Sequence, residues 1–448
     1  LDKVKIMELE RRHFLKGLAT LAVLAGTGGV QAQAAGRDEV AHQVLATWYR
    51  LALELVRHTP IMSPPVTSRA LAYMGIGCFE ALASGDPALV SLQGQLHDMP
   101  ALPDRAPGQG HDTAVILNAV LDPMIHAFFR NTGPTGQHAL ETLTAKLATQ
   151  AATGVPDDVV AASRSYGTTL ARAILAWAAT DGGADIENMG FPRHWTLNPA
   201  PGHWVPTSKI VQQQAPLLPD WGRNRPFALP AADACTIADP TPYSEAKDSA
   251  FWAEAMEVYD TVRTLTEERS QIARFWSDDP MLSYTPAGHW TAIMNQVAEE
   301  KGLDLTAHVE ALARTGIAMA DAFIGCWEAK YRFDLVRPVT YINAHIDPAW
   351  QPILITPPFP EYPSGHSVQS AAAATLLTHL FGEDYSFVDE SPTPDGVEPR
   401  QFASFWAAAN EAAISRLYGG IHFRPAIEHG QNLGRAIAAY AVALKTRA

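Results

Sequence analysis

Four prolines fall within one short run, at Pro357, Pro358, Pro360 and Pro363, and the run ends in Ser364, Gly365 and His366 before an alanine-rich stretch from Ser367 to Leu380. Proline fixes φ, lacks an N–H and pushes the residue before it out of the α region, so the chain cannot become helical here before Ser364. The alanine-rich stretch then reads as a helix. Ser364 is a natural N-cap, and Gly365 lets a bare backbone N–H approach a ligand. The helix that follows brings its positive dipole end to the same spot. An extended strap therefore delivers a histidine to the rim of an anion seat. A capped surface helix with an incidental histidine would look the same on this stretch alone, and the rest of the chain has to decide between them.

The chain has 448 residues, 47% hydrophobic and 18% charged, enough to bury a large core in one big unit or two fused halves. Its formal net charge of -14 argues against nucleic acid or an acidic membrane surface as the main partner. Any anion site must be a local basic cluster in an acidic body. Cys78, Cys235 and Cys326 are too widely spaced for a disulfide framework or a metal site and read as small hydrophobes.

Residues 1–34 read as an export signal with Met7 as the initiator. Glu10-Arg11-Arg12-His13-Phe14-Leu15-Lys16 resembles the twin-arginine pattern. An apolar stretch from Gly17 to Val30 follows, and Ala32-Gln33-Ala34 offers a small-residue cleavage site. The expected location is periplasmic or secreted, and no later stretch has the 18 uninterrupted apolar residues of a membrane span.

Residues 35–181 form a helical N-terminal half. Ala41, Val44, Leu45, Trp48, Leu51, Ala52 and Leu55 make one stripe at helical spacing and Leu71, Met74, Cys78 and Leu82 a second. Further helices are expected at 111–130, 136–152 and 157–180. His58, His126 and His138 lie on or beside this scaffold and read as core or surface histidines. Residues 182–243 differ in kind: ten prolines and Trp195, Trp204 and Trp221 fall there without a period, so the stretch reads as a connecting belt that covers a helical half or walls a pocket. Residues 244–448 return to helices, expected at 244–276, 287–301, 304–334, 366–381, 400–418 and 426–445. The best strand signal runs from Thr340 to His345. The fold class is all-α.

Three blocks in this last part carry basic groups without the carboxylate partners of a solvated face. Lys330 sits near the end of a helix, and Pro338 forces Arg337 out of helical geometry. The strap supplies Ser364, Gly365 and His366. A helix carrying Arg416 is then broken by Gly419-Gly420, and His422 emerges from the turn before Pro425. Two guanidinium forks, an ammonium, a hydroxyl and a free N–H suit a tetrahedral oxyanion. Two histidines exceed what binding requires: one can attack or ligate the central atom while the other handles a proton. Zinc or magnesium would want thiolate, His-Glu or carboxylate clusters instead.

The ordered spacing Lys330-(six residues)-Arg337-Pro338, Pro363-Ser364-Gly365-His366 and Ser415-Arg416-(five residues)-His422 resembles the signature of the vanadium haloperoxidases and type 2 acid phosphatases. The resemblance implies two four-helix bundles with the site in the C-terminal one, and vanadate as cofactor. It implies that His422 bonds vanadium. Lys330, Arg337, Arg416, Ser364 and the Gly365 N–H would hold the oxygens, and His366 would face the apical one. Trp276-Ser277-Asp278-Asp279 is similar to the family segment whose final acid orients an arginine, which pairs Asp279 with Arg416 and leaves Asp278 an equal candidate by charge. Trp327 and Phe359 resemble the halide-side residues of soluble haloperoxidases. Ser367 departs from the alanine of the fungal enzymes and resembles some bacterial members; its hydroxyl could retune His366 or position a substrate, or be a plain first-turn residue.

On this resemblance the substrates are hydrogen peroxide, a halide (bromide or iodide, with chloride possible) and an organic acceptor for the hypohalous acid. The alternative within the superfamily is an exported acid phosphatase acting through a phosphohistidine at His422. A third reading, a non-catalytic anion-binding helical protein, leaves the pair of histidines unexplained.

Overall fold

The computed structural model describes residues 36–208 and 213–448. The expected export signal lies outside the described residues.

Helices dominate because the apolar stripes need facing stripes. Thirteen α-helices are present among the described residues. The first five are α1 (Arg37–His58), α2 (Pro64–Ala83), α3 (Thr113–Phe128), α4 (Pro134–Ala152) and α5 (Asp157–Ala178). On α1 the expected stripe of Val44, Leu45, Trp48, Leu51 and Leu55 is buried, each large side chain contributing roughly 1.5–3 kcal/mol. Helix α2 is buried nearly all round, the mark of a central helix.

The remaining helices are α6 (Ala250–Arg263), α7 (Glu267–Phe275), α8 (Thr285–Lys301), α9 (Leu305–Phe333), α10 (Pro338–His345), α11 (Gly365–Phe381), α12 (Phe405–Tyr418) and α13 (Arg424–Val442). Helix α9 packs against α2 and against α11 and α13. Its approach to α2 depends on glycines: a Cβ on Gly75 would lie 2.8 Å from the Ala313 Cα, and one on Gly316 2.8 Å from the Ala72 Cα. Gly434 serves the α13–α11 contact in the same way, since a Cβ there would collide with the Val368 carbonyl.

Three local expectations are corrected. Thr340 to His345 is not a strand but part of α10, because Pro338 occupies the first helical position, where its fixed φ starts a helix. The helix expected over 244–276 is two, α6 and α7, because Thr266 caps the second by accepting from the Arg269 N–H. The helix expected at 400–418 begins only at Phe405, capped by Ser404. Arg400–Phe402 instead forms strand β2, antiparallel to strand β1 (Phe387–Asp389).

The belt lies along α9. Asp321 of that helix accepts from the N–H groups of Phe227, Ala228 and Leu229 at 2.7–2.8 Å. The Leu217 carbonyl accepts from Trp327 Nε1 and Tyr331 Oη, and the Leu217 N–H donates to the Pro358 carbonyl. The belt is thereby tied to both α9 and the proline-rich strap.

Candidate active site

The strap enters α11 as the prolines require. Ser364 is extended (φ -67°, ψ 118°) and caps the helix, its Oγ accepting from the Ser367 N–H. Ser367 is fully buried behind it, with its own Oγ 2.8 Å from Ser364 Oγ. A donation from Ser367 leaves the Ser364 hydrogen free to point elsewhere. Gly365 is buried, yet a Cβ there would meet only ring carbons of Trp327 and Phe323 at 3.7 and 3.9 Å, ordinary contacts. Packing therefore does not demand a glycine at this position.

Lys330, on the last turns of α9, is fully buried and donates to the carbonyls of Pro360, Glu361 and Pro363 at 2.9, 3.0 and 2.5 Å. All three donors hold the strap in its curve. Burial pushes its pKa down to about 7. Arg337 sits just before Pro338 in extended geometry and is fully buried. Its Nε donates to the Phe359 carbonyl, and its Nη1 to the Ile421 carbonyl at 2.8 Å and toward His422 Nε2 at 3.2 Å. Its Nη2 is buried without a partner. Arg416 on α12 donates through Nη2 to the Trp276 and Ala273 carbonyls and through Nε to Ser415 Oγ. Burial lowers both guanidinium pKa values to about 10.

His422 lies among these cations, and its ring is fixed from behind. Nδ1 is 2.8 Å from Glu361 Oε1, which also accepts the Phe423 N–H at 2.9 Å. With Nδ1 donating to the carboxylate, Nε2 keeps its lone pair on the side of Arg337. Burial first, then the charges of Arg337, Lys330 and Arg416, hold the His422 pKa well below its usual value. Glu361 is fully buried; burial raises it to about 8 against the pull of Arg337 and Lys330, and its Oε2 has no partner.

His366 is partly exposed at the start of α11, its Nε2 3.4 Å from Asp278 Oδ2. Burial lowers its pKa to about 4, and Arg416 adds to this. Asp279 is partly buried and makes no direct ion pair with Arg416; the two interact through charge alone, as do Asp278 and Arg416. The Trp327 and Phe359 rings stand 5.0 Å apart, and Phe359 lies 5.0 Å from both Lys330 Nζ and the Arg337 guanidinium carbon. The structure thus brings Lys330, Arg337, Ser364, Gly365, His366, Arg416 and His422 close together, with Trp327 and Phe359 packed beside them.

Three partners were not singled out in the sequence. Glu361 lay inside the strap, where an acid among prolines and next to three basic blocks was a usable signal. His289, which holds Asp278, and Asp389, which holds His289, gave none, since one sits in an ordinary helix and the other on a short hairpin.

The family model described as "VCPO second helical-bundle domain" matches residues 310–448, the segment that carries Lys330, Arg337, His366, Arg416 and His422. A bacterial vanadium-dependent iodoperoxidase of known structure is 36% identical, over 91% of this chain and 97% of that one, with a TM-score of 0.82. The chain belongs to the vanadium-dependent haloperoxidase family. The family fold extends to a bacterial vanadium-dependent chloroperoxidase of known structure, 18% identical over 86% of this chain and 92% of that one, with a TM-score of 0.65. Vanadium chloroperoxidase from Curvularia inaequalis is 26% identical, over 25% of this chain and 27% of that protein. The match thus spans about a quarter of that curated relative's length. Among the described residues, no helix is long and apolar enough to cross a membrane.

Proposed function

We propose that the protein is a vanadate-dependent haloperoxidase that uses hydrogen peroxide to oxidise iodide and bromide, with chloride as the hardest case, to a hypohalous acid that halogenates an organic acceptor. The observation that carries this reading is the Arg337 guanidinium, fully buried with no carboxylate hydrogen-bonded to it and with Nη2 unpartnered. A buried charged donor without a partner is costly, so the site is built for an anion that is not protein.

The donor set fits vanadate. Arg337 Nη2, the Ser364 hydroxyl and the Gly365 N–H would hold its oxygens, Arg416 and Lys330 would neutralise them, and His422 Nε2 would meet the metal. Lys330 would turn one donor from a strap carbonyl toward the oxyanion. Bound vanadate supplies a Lewis acid that activates peroxide without changing oxidation state. His366 takes the peroxide proton, Trp327 and Phe359 keep bulk water from the halide side, and Glu361 keeps His422 in the tautomer with Nε2 unprotonated. Asp279, with Asp278, supports Arg416 through charge.

The finer assignments belong to the same proposal. Residues 35–181 and 244–448 are the two bundles, joined by the belt at 182–243. The Arg11-Arg12 signal exports the protein to the periplasm or beyond. The test of function is iodide and bromide oxidation by the chain from Ala35 onward with hydrogen peroxide. Activity should appear on adding vanadate and fade with competing phosphate. Hydrolysis of an aryl phosphate, inhibited by vanadate, with no halide oxidation would instead place the chemistry with the phosphatases.

A further inference from the structure

Four side chains from four separate elements form one line leading away from the site. His366 Nε2 on α11 stands 3.4 Å from Asp278 Oδ2. Asp278 Oδ1 is 2.8 Å from His289 Nδ1 on α8, and His289 Nε2 is 2.8 Å from Asp389 Oδ2 on β1. Asp389 Oδ1 in turn accepts from the Ser391 N–H and hydroxyl at 2.9 and 2.6 Å. Asp278, His289 and Asp389 are all buried.

We infer that His289 and Asp389 are positioning residues for His366: they lock the Asp278 carboxylate so that Oδ2 faces His366 Nε2 and Nδ1 remains that ring's basic nitrogen. This rests on His366 acting as the proton handler of the function proposed above.

A carboxylate held by one contact can rotate and offer either oxygen. Here His289 takes Oδ1, which leaves Oδ2 for His366. The His289 ring cannot turn away either, because Asp389 holds its other nitrogen and its face stacks on Trp276 with centroids 4.6 Å apart and planes 21° apart. Burial acts against a charged His289, but the Asp278 and Asp389 carboxylates hold its pKa up at about 10. Both of its nitrogens therefore donate, and the trio keeps its charge-assisted hydrogen bonds. Asp278 also sits at φ 50°, a left-handed conformation that an L residue keeps only where its surroundings over-determine it. A purely structural trio, pinning the β1–β2 hairpin to α8, would not need to end beside His366. The Nε2 atom there is buried and makes no well-formed hydrogen bond, the long geometry that such contacts show before a reaction partner arrives.

The test uses nitrogen NMR of ¹⁵N-histidine in the metal-free protein, which reads the His366 tautomer without any turnover. Wild type should show the Nε2–H form. In His289→Asn the amide nitrogen replaces Nδ1 and still holds Asp278, so the tautomer should persist. In His289→Gln it replaces Nε2 and reaches Asp389 instead, so both tautomers should appear. The loaded His289→Gln enzyme should lose kcat by about tenfold or more, with halide KM and vanadate affinity within about twofold of wild type. Should the His289 variants not fold, Asp389→Asn, which keeps the shape and weakens the hold on His289, should show partial mixing. One tautomer population and one kcat across all folded variants would overturn the inference, as would kcat and vanadate affinity falling together. A protein that oxidises no halide yet holds the tautomer would overturn the proposed function and leave the positioning intact.

Discussion

Arg69 and Arg337 are both buried, one in each half of the molecule, and they live in opposite ways. Arg69 on α2 meets a carboxylate, its Nε 2.7 Å from Asp181 Oδ2, while its Nη2 donates to the Ala178 carbonyl and Tyr73 Oη shares the same acid. The cation and its counter-ion were buried together, which closes the helical scaffold against the belt. Arg337 has only carbonyls and the edge of a histidine, and one of its nitrogens has no partner. Arg69 is bonded to its acid, whereas Arg337 feels Glu361 through charge alone and keeps one nitrogen for the anion proposed above.

The contrast can be broken at either arginine. The largest expected effect is at the site: His422→Ala should lower vanadate affinity by more than about a hundredfold, since it removes the ring nitrogen proposed to bond vanadium. Arg337→Ala should cost about 30- to 1000-fold in equilibrium binding, as two charge-assisted hydrogen bonds disappear. Arg69→Ala should leave vanadate affinity unchanged while lowering stability by about 3 kcal/mol in denaturant titration, because Asp181 stays buried without the counter-ion bonded to it.

Glu361→Gln sharpens the comparison, since Glu361 is the acid that holds the His422 ring, the proposed vanadium ligand, rather than hydrogen-bonding a cation. Affinity is expected to fall about 10- to 100-fold with little change in melting temperature. His289 adds a pH signature. Its folded pKa of about 10 lies above the ordinary histidine value of 6.5. The stabilisation it gives is therefore complete below pH about 6.5 and is lost as pH rises through about 10. Asp278, held below the ordinary carboxylate range because His289 outweighs the effect of burial, contributes above pH about 4 and fails only in stronger acid. Thermal melts between pH about 6 and 10 should show a decline that His289→Asn lacks. The smallest effect is at Ser367→Ala: the Ser364 hydroxyl loses its orienting partner, and affinity should drop by only a few-fold.

The basic half of the site was legible because each block is local. Lys330 and Arg337 flank one helix end, Ser364 to His366 one cap, and Arg416 and His422 one broken helix, so short spacing encodes their placement. The supporting acids are not local. Asp389 reaches His289 across 100 residues of chain, and Glu361 reaches His422 across 61; no periodicity marks either pairing. The fold was legible in the same uneven way. The α1 stripe could be read because burial repeats every turn, whereas the α6–α7 break depends on a single threonine cap. The six residues from Thr340 look like a strand by β-branching until Pro338 is weighed as a helix start.

The proposed oxyanion site draws its charge from Arg337 and the cations beside it. Its most direct test is calorimetric titration of orthovanadate into the metal-free protein, repeated with phosphate present, for wild type, Arg337→Ala and Arg69→Ala. The expected result is one site per chain, weakened by phosphate, severely weakened in Arg337→Ala and untouched in folded Arg69→Ala. Binding that ignores Arg337, or that falls equally in both variants, would contradict it.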